Sequence, residues 1–94
     1  MNLWFDDIRP APEGWDWAKS FDEAVALLKT GNVENASLDH YMGLGQPTGY
    51  DLVMWMEQNQ TWPARSIYVH SADPVGRAKM KIVIGRNRSL QMRG

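Results

Sequence analysis

Three pairs of side chains suited to acid–base or ligand chemistry each follow a short apolar segment of the sequence. The pairs are Asp6-Asp7, Asp39-His40 and His70-Ser71, and they include both histidines of the chain. Histidine acts as a general acid or base near neutral pH and binds phosphate when protonated. Carboxylates that meet at one place repel one another, which raises the pKa of at least one of them or draws in a cation.

These residue types predict a phosphate-ester site with divided roles. We expect His40, His70 and Asp39 to be the catalytic residues, because they can transfer protons to and from a reacting ester. We expect Asp6, Asp7 and Asp39 to hold a metal ion. Oxygen ligands favour Mg²⁺ or Ca²⁺ over metals that prefer thiolates, so Mg²⁺ is the expected cofactor.

A phosphate group would meet a helix N-terminus in the same region. Ser71 lies just before the last predicted helix, whose free N–H groups and dipole favour an anion. Arg77 lies one turn inside that helix, where a guanidinium can hold phosphate through two hydrogen bonds. We assign Ser71, Arg77 and Arg9 to phosphate binding. The structural alternatives are plain capping by Ser71 and a turn in which Asp6 and Asp7 pair with Arg9.

The three pairs can meet only if the segments before them are neighbouring strands. Segments 3–5, 36–38 and 67–69 are apolar and too short for helices, which indicates buried strands. Trp15–Ala18 alternates between apolar and polar residues as an edge strand does. Strands that alternate with helices define an α/β fold with a mainly parallel sheet, and ligand sites in such sheets lie beyond the carboxyl ends of the strands.

Three helices are predicted, over residues of about 20–30, 50–60 and 74–85. The first begins with a capping box of Ser20 and Glu23 and stops before Gly31. The last begins with a proline at its first position and ends near a glycine. Segment 81–84 within it is also compatible with a strand.

The predicted sheet has three to four mainly parallel strands in the order 2-1-3-4, with about three helices around it. A parallel crossover usually takes a dozen or more residues, and the loop Arg9–Gly14 is shorter than that. We therefore expect Trp15–Ala18 to pair antiparallel to the first strand or to fray at the edge. A single domain is expected over residues 1–85, followed by a basic tail over residues 86–94.

The composition excludes several classes of protein. The chain has 94 residues, of which 44% are hydrophobic and 22% charged, as expected for one globular domain. It has no cysteine, which excludes disulfides, thiolate zinc sites and cysteine nucleophiles. The N-terminus lacks the features of a signal peptide, and no apolar run approaches about 20 residues. We therefore expect a cytoplasmic protein that does not contact a membrane.

Charge is distributed unevenly along the chain. Residues 1–76 carry all 11 acidic side chains and four basic ones, whereas residues 77–94 carry six basic side chains and no acidic one. A solvated basic helix face is the simpler interpretation, and a phosphate-facing patch is the functional one. Because so short a chain has a small core, a homodimer is also an open alternative.

Four motifs follow one another along the chain: WFDDIRPAPEGW at 4–15, SLDH at 37–40, GYD at 49–51 and VHSADPVGRAKM at 69–80. In this order they resemble the receiver domain of two-component signalling and, more closely, its reduced variant, the cyclic-phosphate processing receiver-like domain. The resemblance places Asp6-Asp7 at the metal-binding acids of a receiver and Asp39 at its phospho-acceptor.

The resemblance implies a reduced receiver-like (flavodoxin-like) fold and a role in handling cyclic phosphates. The implied partner is a phosphate-containing small molecule, such as a cyclic nucleotide, or an RNA 2′,3′-cyclic end, and phosphoesterase activity is one interpretation. A protein that binds a cyclic nucleotide without cleaving it is a second. A receiver-like interaction module with a vestigial site is a third, and it would present Tyr41, Trp62 and the basic tail to a partner.

Overall fold

A four-stranded parallel sheet with the order β2-β1-β3-β4 forms the centre of the fold. The structure is a computed structural model that describes the backbone of residues 1–93 and the side chains of residues 1–88. The predicted α/β class, strand order and three helices are confirmed. The elements are β1 (Asn2–Phe5), β2 (Asp16–Ala18), α1 (Phe21–Lys29), β3 (Asn35–Leu38), α2 (Gly49–Asn59), β4 (Ser66–Val69) and α3 (Pro74–Arg93).

All three helices pack on the same face of the sheet. Leu3 and Phe5 of β1 are fully buried in one core cluster with Leu38 of β3 and with residues of every helix. Side chains alternate along a strand, so Trp4 and Ser37 point to the opposite face. Within residues 1–93, that face carries a loop but no helix.

The connection from β1 to β2 contains no helix, yet the two strands pair in parallel over all of β2. The expectation of an antiparallel or frayed edge is therefore wrong. The connecting loop returns over the face that carries Trp4, whose Nε1 donates to the carbonyl oxygen of Arg9 at 2.8 Å. The ring of Trp15 meets Trp4 edge-on, with the ring centroids 6.2 Å apart. Because the loop folds back directly onto the indole ring of Trp4, a short crossover suffices.

Side-chain caps and one close approach set the position of the first two helices. Ser20 Oγ accepts from the backbone N–H of Glu23 at 3.2 Å, so the predicted start of α1 is confirmed. Thr48 and Asp51 form a capping box at the start of α2. A Cβ atom on Gly49 would lie 1.9 Å from the carbonyl oxygen of Asp39, so α2 begins directly against the end of β3.

Helix α3 continues to Arg93 instead of ending near Gly85, and segment 81–84 is helical. A glycine inside a helix costs about 1 kcal/mol, so other contacts must hold the helix together beyond it. The guanidinium of Arg86 supplies such a contact, with two hydrogen bonds of 2.6 Å to the carboxylate of Glu57 on α2. The prediction failed because this ion pair is made by residues 29 positions apart.

The first residues of the predicted basic tail pack against the rest of the chain. Arg88 donates from its guanidinium to the carbonyl oxygens of Pro63 and Arg65, which lie just before β4. The domain boundary at residue 85 stays a prediction. No helix within the described residues is long and apolar enough to cross a membrane.

Candidate functional site

The three strand ends converge because the register of the sheet aligns them. Phe5 of β1 pairs with Leu38 of β3, and Leu38 pairs with Val69 of β4. The hydrogen-bond ladder continues one step further, since the backbone N–H groups of positions 39 and 70 donate to the carbonyl oxygens of Phe5 and Leu38, both at 2.9 Å. The next residues along the three strands form what we call the edge row, consisting of Asp6, Asp39 and His70.

Asp6 is the most enclosed member of the edge row, with 1% of its surface exposed. Its Oδ1 accepts from the backbone N–H groups of Ile8 at 2.9 Å and Arg9 at 2.8 Å, and its Oδ2 lies 2.9 Å from Nε2 of His70. Burial by itself raises the pKa of Asp6, but the hydrogen bonds from Arg9, Ile8 and His70 outweigh it and hold the pKa below its ordinary value. Asp6 is therefore an ionised anchor for His70.

Both ring nitrogens of His70 have protein partners. Nε2 faces Asp6, and Nδ1 lies 2.7 Å from Oγ of Ser37. The ring also stacks on Trp4, with centroids 4.0 Å apart and planes 5° from parallel. Because a carboxylate only accepts hydrogen bonds, Nε2 carries a proton, and in the neutral ring Nδ1 accepts from the Ser37 hydroxyl. His70 is thus held by three neighbours, and neither nitrogen is directed at a ligand.

The sequence interpretation missed Trp4 and Ser37 as partners of His70. Both lie inside strands, two residues before a member of the edge row, at Asp6 and Asp39 respectively. Residues two positions apart on a strand share one face of the sheet. The spacing of two residues could therefore have placed Trp4 and Ser37 on the face of the sheet that carries the edge row. The residue types alone do not show that either side chain contacts His70.

Asp39 is the member of the edge row whose charge is least compensated. Its Oδ1 accepts from the backbone N–H of His40 at 2.8 Å. Burial raises the pKa of Asp39 above its ordinary value, and the neighbouring charge of Asp6 adds to the rise. Because these effects disfavour the ionised form of Asp39, a positive charge placed beside it would stabilise that form.

The edge row brings two carboxylates to one place, where they could share a divalent cation. One carboxylate oxygen each from Asp6 and Asp39 and a ring nitrogen of His70 lie within 4.8 Å of one another. Because both nitrogens of His70 already have protein partners, the two carboxylates are the members of this group that offer ligand atoms to a cation. Asp7, which was expected in this set, does not belong to the group within the described residues. Its carboxylate lies near Gly43, where an added Cβ would be 3.6 Å from Oδ2.

His40 lies between the edge row and α3. Its Nδ1 is 3.2 Å from Oδ2 of Asp73, which is within ion-pair distance but without hydrogen-bond geometry. The ring packs directly on Gly76, since an added Cβ there would lie 2.4 Å from its Cγ and Nδ1. Within residues 1–88, Nε2 of His40 has no hydrogen-bond partner. Of the two histidines, His40 is therefore the one with a ring nitrogen available to a ligand.

The three predicted phosphate ligands differ in how they are placed. Ser71 is buried, and its Oγ accepts from the backbone N–H of Asp73 at 3.1 Å, so it stabilises the turn before α3. The Arg9 guanidinium donates to the carbonyl oxygen of His70 at 3.3 Å, which brings it to the edge row. Arg77 is exposed on the first turn of α3.

The two aromatic residues considered as partner contacts lie in different surroundings. Tyr41 is 57% exposed on the loop that follows His40. Trp62 is half-buried and packs against the core cluster, where its Nε1 has no hydrogen-bond partner within the described residues. Tyr41 is thus accessible to a partner, whereas most of Trp62 is used inside the fold.

A parallel sheet of this order, with acids after β1 and β3 and a histidine and serine after β4, defines a reduced receiver-like α/β domain. Residues 1–86 match the family described as the cyclic-phosphate processing receiver domain. The chain belongs to that family, which confirms the resemblance drawn from the four motifs. No curated protein and no solved structure matches the chain.

Proposed function

We propose that this domain binds a cyclic phosphate, such as a cyclic nucleotide or an RNA 2′,3′-cyclic end, and processes it at the edge row. The family description supports the handling of cyclic phosphates in general. The observation that carries the proposal is the edge row beside His40, which collects carboxylate oxygens and an available imidazole nitrogen at one end of the sheet.

A phosphate ester brings negative charge to a site that already contains Asp6 and Asp39. Positive charge must therefore accompany it, and Arg9, Arg77 and the N-terminus of α3 are groups among the described residues that can provide it. Asp6 and Asp39 would hold a cation such as Mg²⁺, which fits the spacing of the donor atoms. When bound, such a cation would neutralise charge on the phosphate oxygens.

His40 is the proposed proton carrier. Hydrolysis of a cyclic phosphate forms a bond from a water oxygen to phosphorus and breaks one P–O bond of the ring, and the proton lost by the water ends on the departing oxygen. Nε2 of His40 can take that proton and deliver it, while Oδ2 of Asp73 lies 3.2 Å from Nδ1 on the other side of the ring. His70 has the role of a positioning residue in this scheme, and Asp39 that of a ligand.

Cyclic nucleotide turnover tests the proposal. Phosphorus NMR would follow a panel of 2′,3′- and 3′,5′-cyclic nucleotides with and without Mg²⁺. We expect turnover by the wild-type chain and a loss of about 10²-fold or more in His40→Gln, whereas Tyr41→Phe, its neighbour on the same loop, keeps the activity. If the wild-type chain shows no turnover and no binding at millimolar ligand, the proposal is overturned.

A domain that retains the cyclic phosphate intact is the second candidate. The engagement of both His70 nitrogens favours it, because one of the two histidines is then not available for proton transfer. Calorimetry that shows binding, together with an unchanged ligand in the phosphorus spectrum, would select this function over hydrolysis.

A further inference from the structure

The outward face of α3 carries an apolar stripe. Val75 and Ile82 are 66% and 65% exposed, and they lie seven residues apart. Ala78 and Gly85 are also exposed and fall on the same side of the helix, at spacings of three and four residues. The opposite side of α3 packs against the domain through Gly76, Met80, Val83 and Asn87.

Basic side chains lie along both sides of this stripe. At 3.6 residues per turn, Lys79 and Lys81 are placed on opposite flanks of the line from Val75 to Ile82, and both are exposed. No acidic residue occurs from position 77 to the end of the chain. The surface thus combines exposed apolar area with positive charge on either side.

The helices of a second copy of the chain do not offer a complementary surface of this kind. Pairing α3 with α3 would bring the lysines of the two copies together, and like charges at an interface are unfavourable. Within residues 1–88, neither α1 nor α2 exposes a large hydrophobic side chain. The stripe therefore lacks a helical counterpart among the described residues of this chain.

We propose that the outer face of α3, formed by Val75, Ala78, Ile82 and Gly85, docks a helix of a different protein that presents an apolar stripe with acidic flanks. Recognition of an amphipathic helix uses anchors at these spacings, and the charge of the flanks selects an acidic partner over a basic one. The small side chains at positions 78 and 85 leave room for the partner helix to approach. This surface is separate from the edge row, so the proposal does not depend on the proposed function.

Fluorescence anisotropy with designed helical peptides tests the docking surface on the full chain. The probe is a labelled peptide of about 20 residues with leucine at heptad positions a and d and glutamate on the flanks, and its counterpart carries lysine on the flanks. We expect the acidic peptide to bind, the basic peptide not to bind, and binding to weaken as salt is added. Equal binding of the two peptides would overturn the proposal.

Variants of the stripe locate the binding. The double variant Val75→Ser, Ile82→Ser is expected to weaken binding of the acidic peptide about tenfold or more, because both anchors are lost. Leu44→Ser removes a loop side chain that is 92% exposed, and it is expected to bind like the wild type. Circular dichroism checks that each variant is folded. Unchanged binding by the double variant, or binding of single-stranded RNA or anionic vesicles without binding of the acidic peptide, would contradict the proposed partner.

Discussion

The imidazole of His40 lies directly on the backbone of Gly76, so that a methyl group on Gly76 would be 2.4 Å from Cγ of the ring. The φ angle of Gly76 is not in the left-handed region, so the restriction at this position is one of space. A glycine here lets the first turn of α3 reach the candidate proton carrier. The position of His40 thus depends on a residue 36 positions further along the chain.

Gly76→Ala is expected to destabilise the domain by about 1–3 kcal/mol, because the added methyl group forces His40 or the helix to move. Alanine has a higher helix propensity than glycine, by about 1 kcal/mol, and we expect the steric cost of the methyl group to exceed this gain in stability. Urea unfolding followed by circular dichroism measures it. Gly85→Ala is the matched control in the same helix, where nothing lies within 4 Å of an added Cβ, and it should stabilise by about 0.5–1 kcal/mol. Equal stabilisation by both substitutions would show that His40 does not pack on Gly76.

Ser37→Ala should cost about 1–3 kcal/mol of unfolding free energy, because it leaves Nδ1 of the half-buried His70 without its partner. Nitrogen NMR of the imidazole would show whether the protonation pattern of the ring changes with it. Ser66→Ala, on a neighbouring strand, removes a hydroxyl that has no side-chain hydrogen bond within the described residues. If the two substitutions cost the same, the hydroxyl of Ser37 is not a significant partner of His70.

Glu57→Gln should lower the melting temperature near neutral pH, and the difference from wild type should shrink in acid. Hydrogen bonds from Arg86 and Asn87 hold the pKa of Glu57 at about 2, below its ordinary value of 4.5. A carboxyl group with a lowered pKa stabilises the fold above its unfolded pKa and loses that contribution as the pH falls through the folded one. The difference in melting temperature should therefore decline between pH 4.5 and pH 2.

The matched control for Glu57 is Glu13→Gln, which changes an exposed glutamate without a side-chain partner in the described residues. Its melting temperature should follow that of the wild type at every pH. High salt should also reduce the effect of Glu57→Gln, because exposed ion pairs are screened. A difference that stays constant down to pH 2 would contradict the ion pair with Arg86.

Trp4→Phe should loosen the loop between β1 and β2 while keeping an aromatic ring under His70. The substitution removes the hydrogen bond from the indole to the carbonyl oxygen of Arg9, at a cost of about 1 kcal/mol. Hydrogen exchange of the loop amides should become faster. Trp15→Phe retains the edge-on ring contact and breaks no indole hydrogen bond within the described residues, so exchange in that variant should match the wild type.

Much of the fold and the place of the site could be predicted from the sequence because the signals are local. The start of α1 depends on Ser20 and Glu23, three positions apart, and an apolar run followed by a polar pair marks the ends of β1, β3 and β4. Asp6, Asp39 and His70 could be assigned to one sheet edge because parallel strands end on the same side. The acidic and basic parts of the chain are also properties of the sequence alone.

The partners of those side chains were decided only by the tertiary structure. His70 contacts Asp6 across 64 positions and Ser37 across 33, whereas Asp7, beside Asp6 in the chain, lies outside the edge row. The parallel crossover to β2 and the continuation of α3 past Gly85 likewise depend on packing between distant residues. Local patterns determine which elements form, because they reflect backbone conformation and burial. The direction and protonation of each functional group depend on neighbours that only the packed chain brings within hydrogen-bond distance.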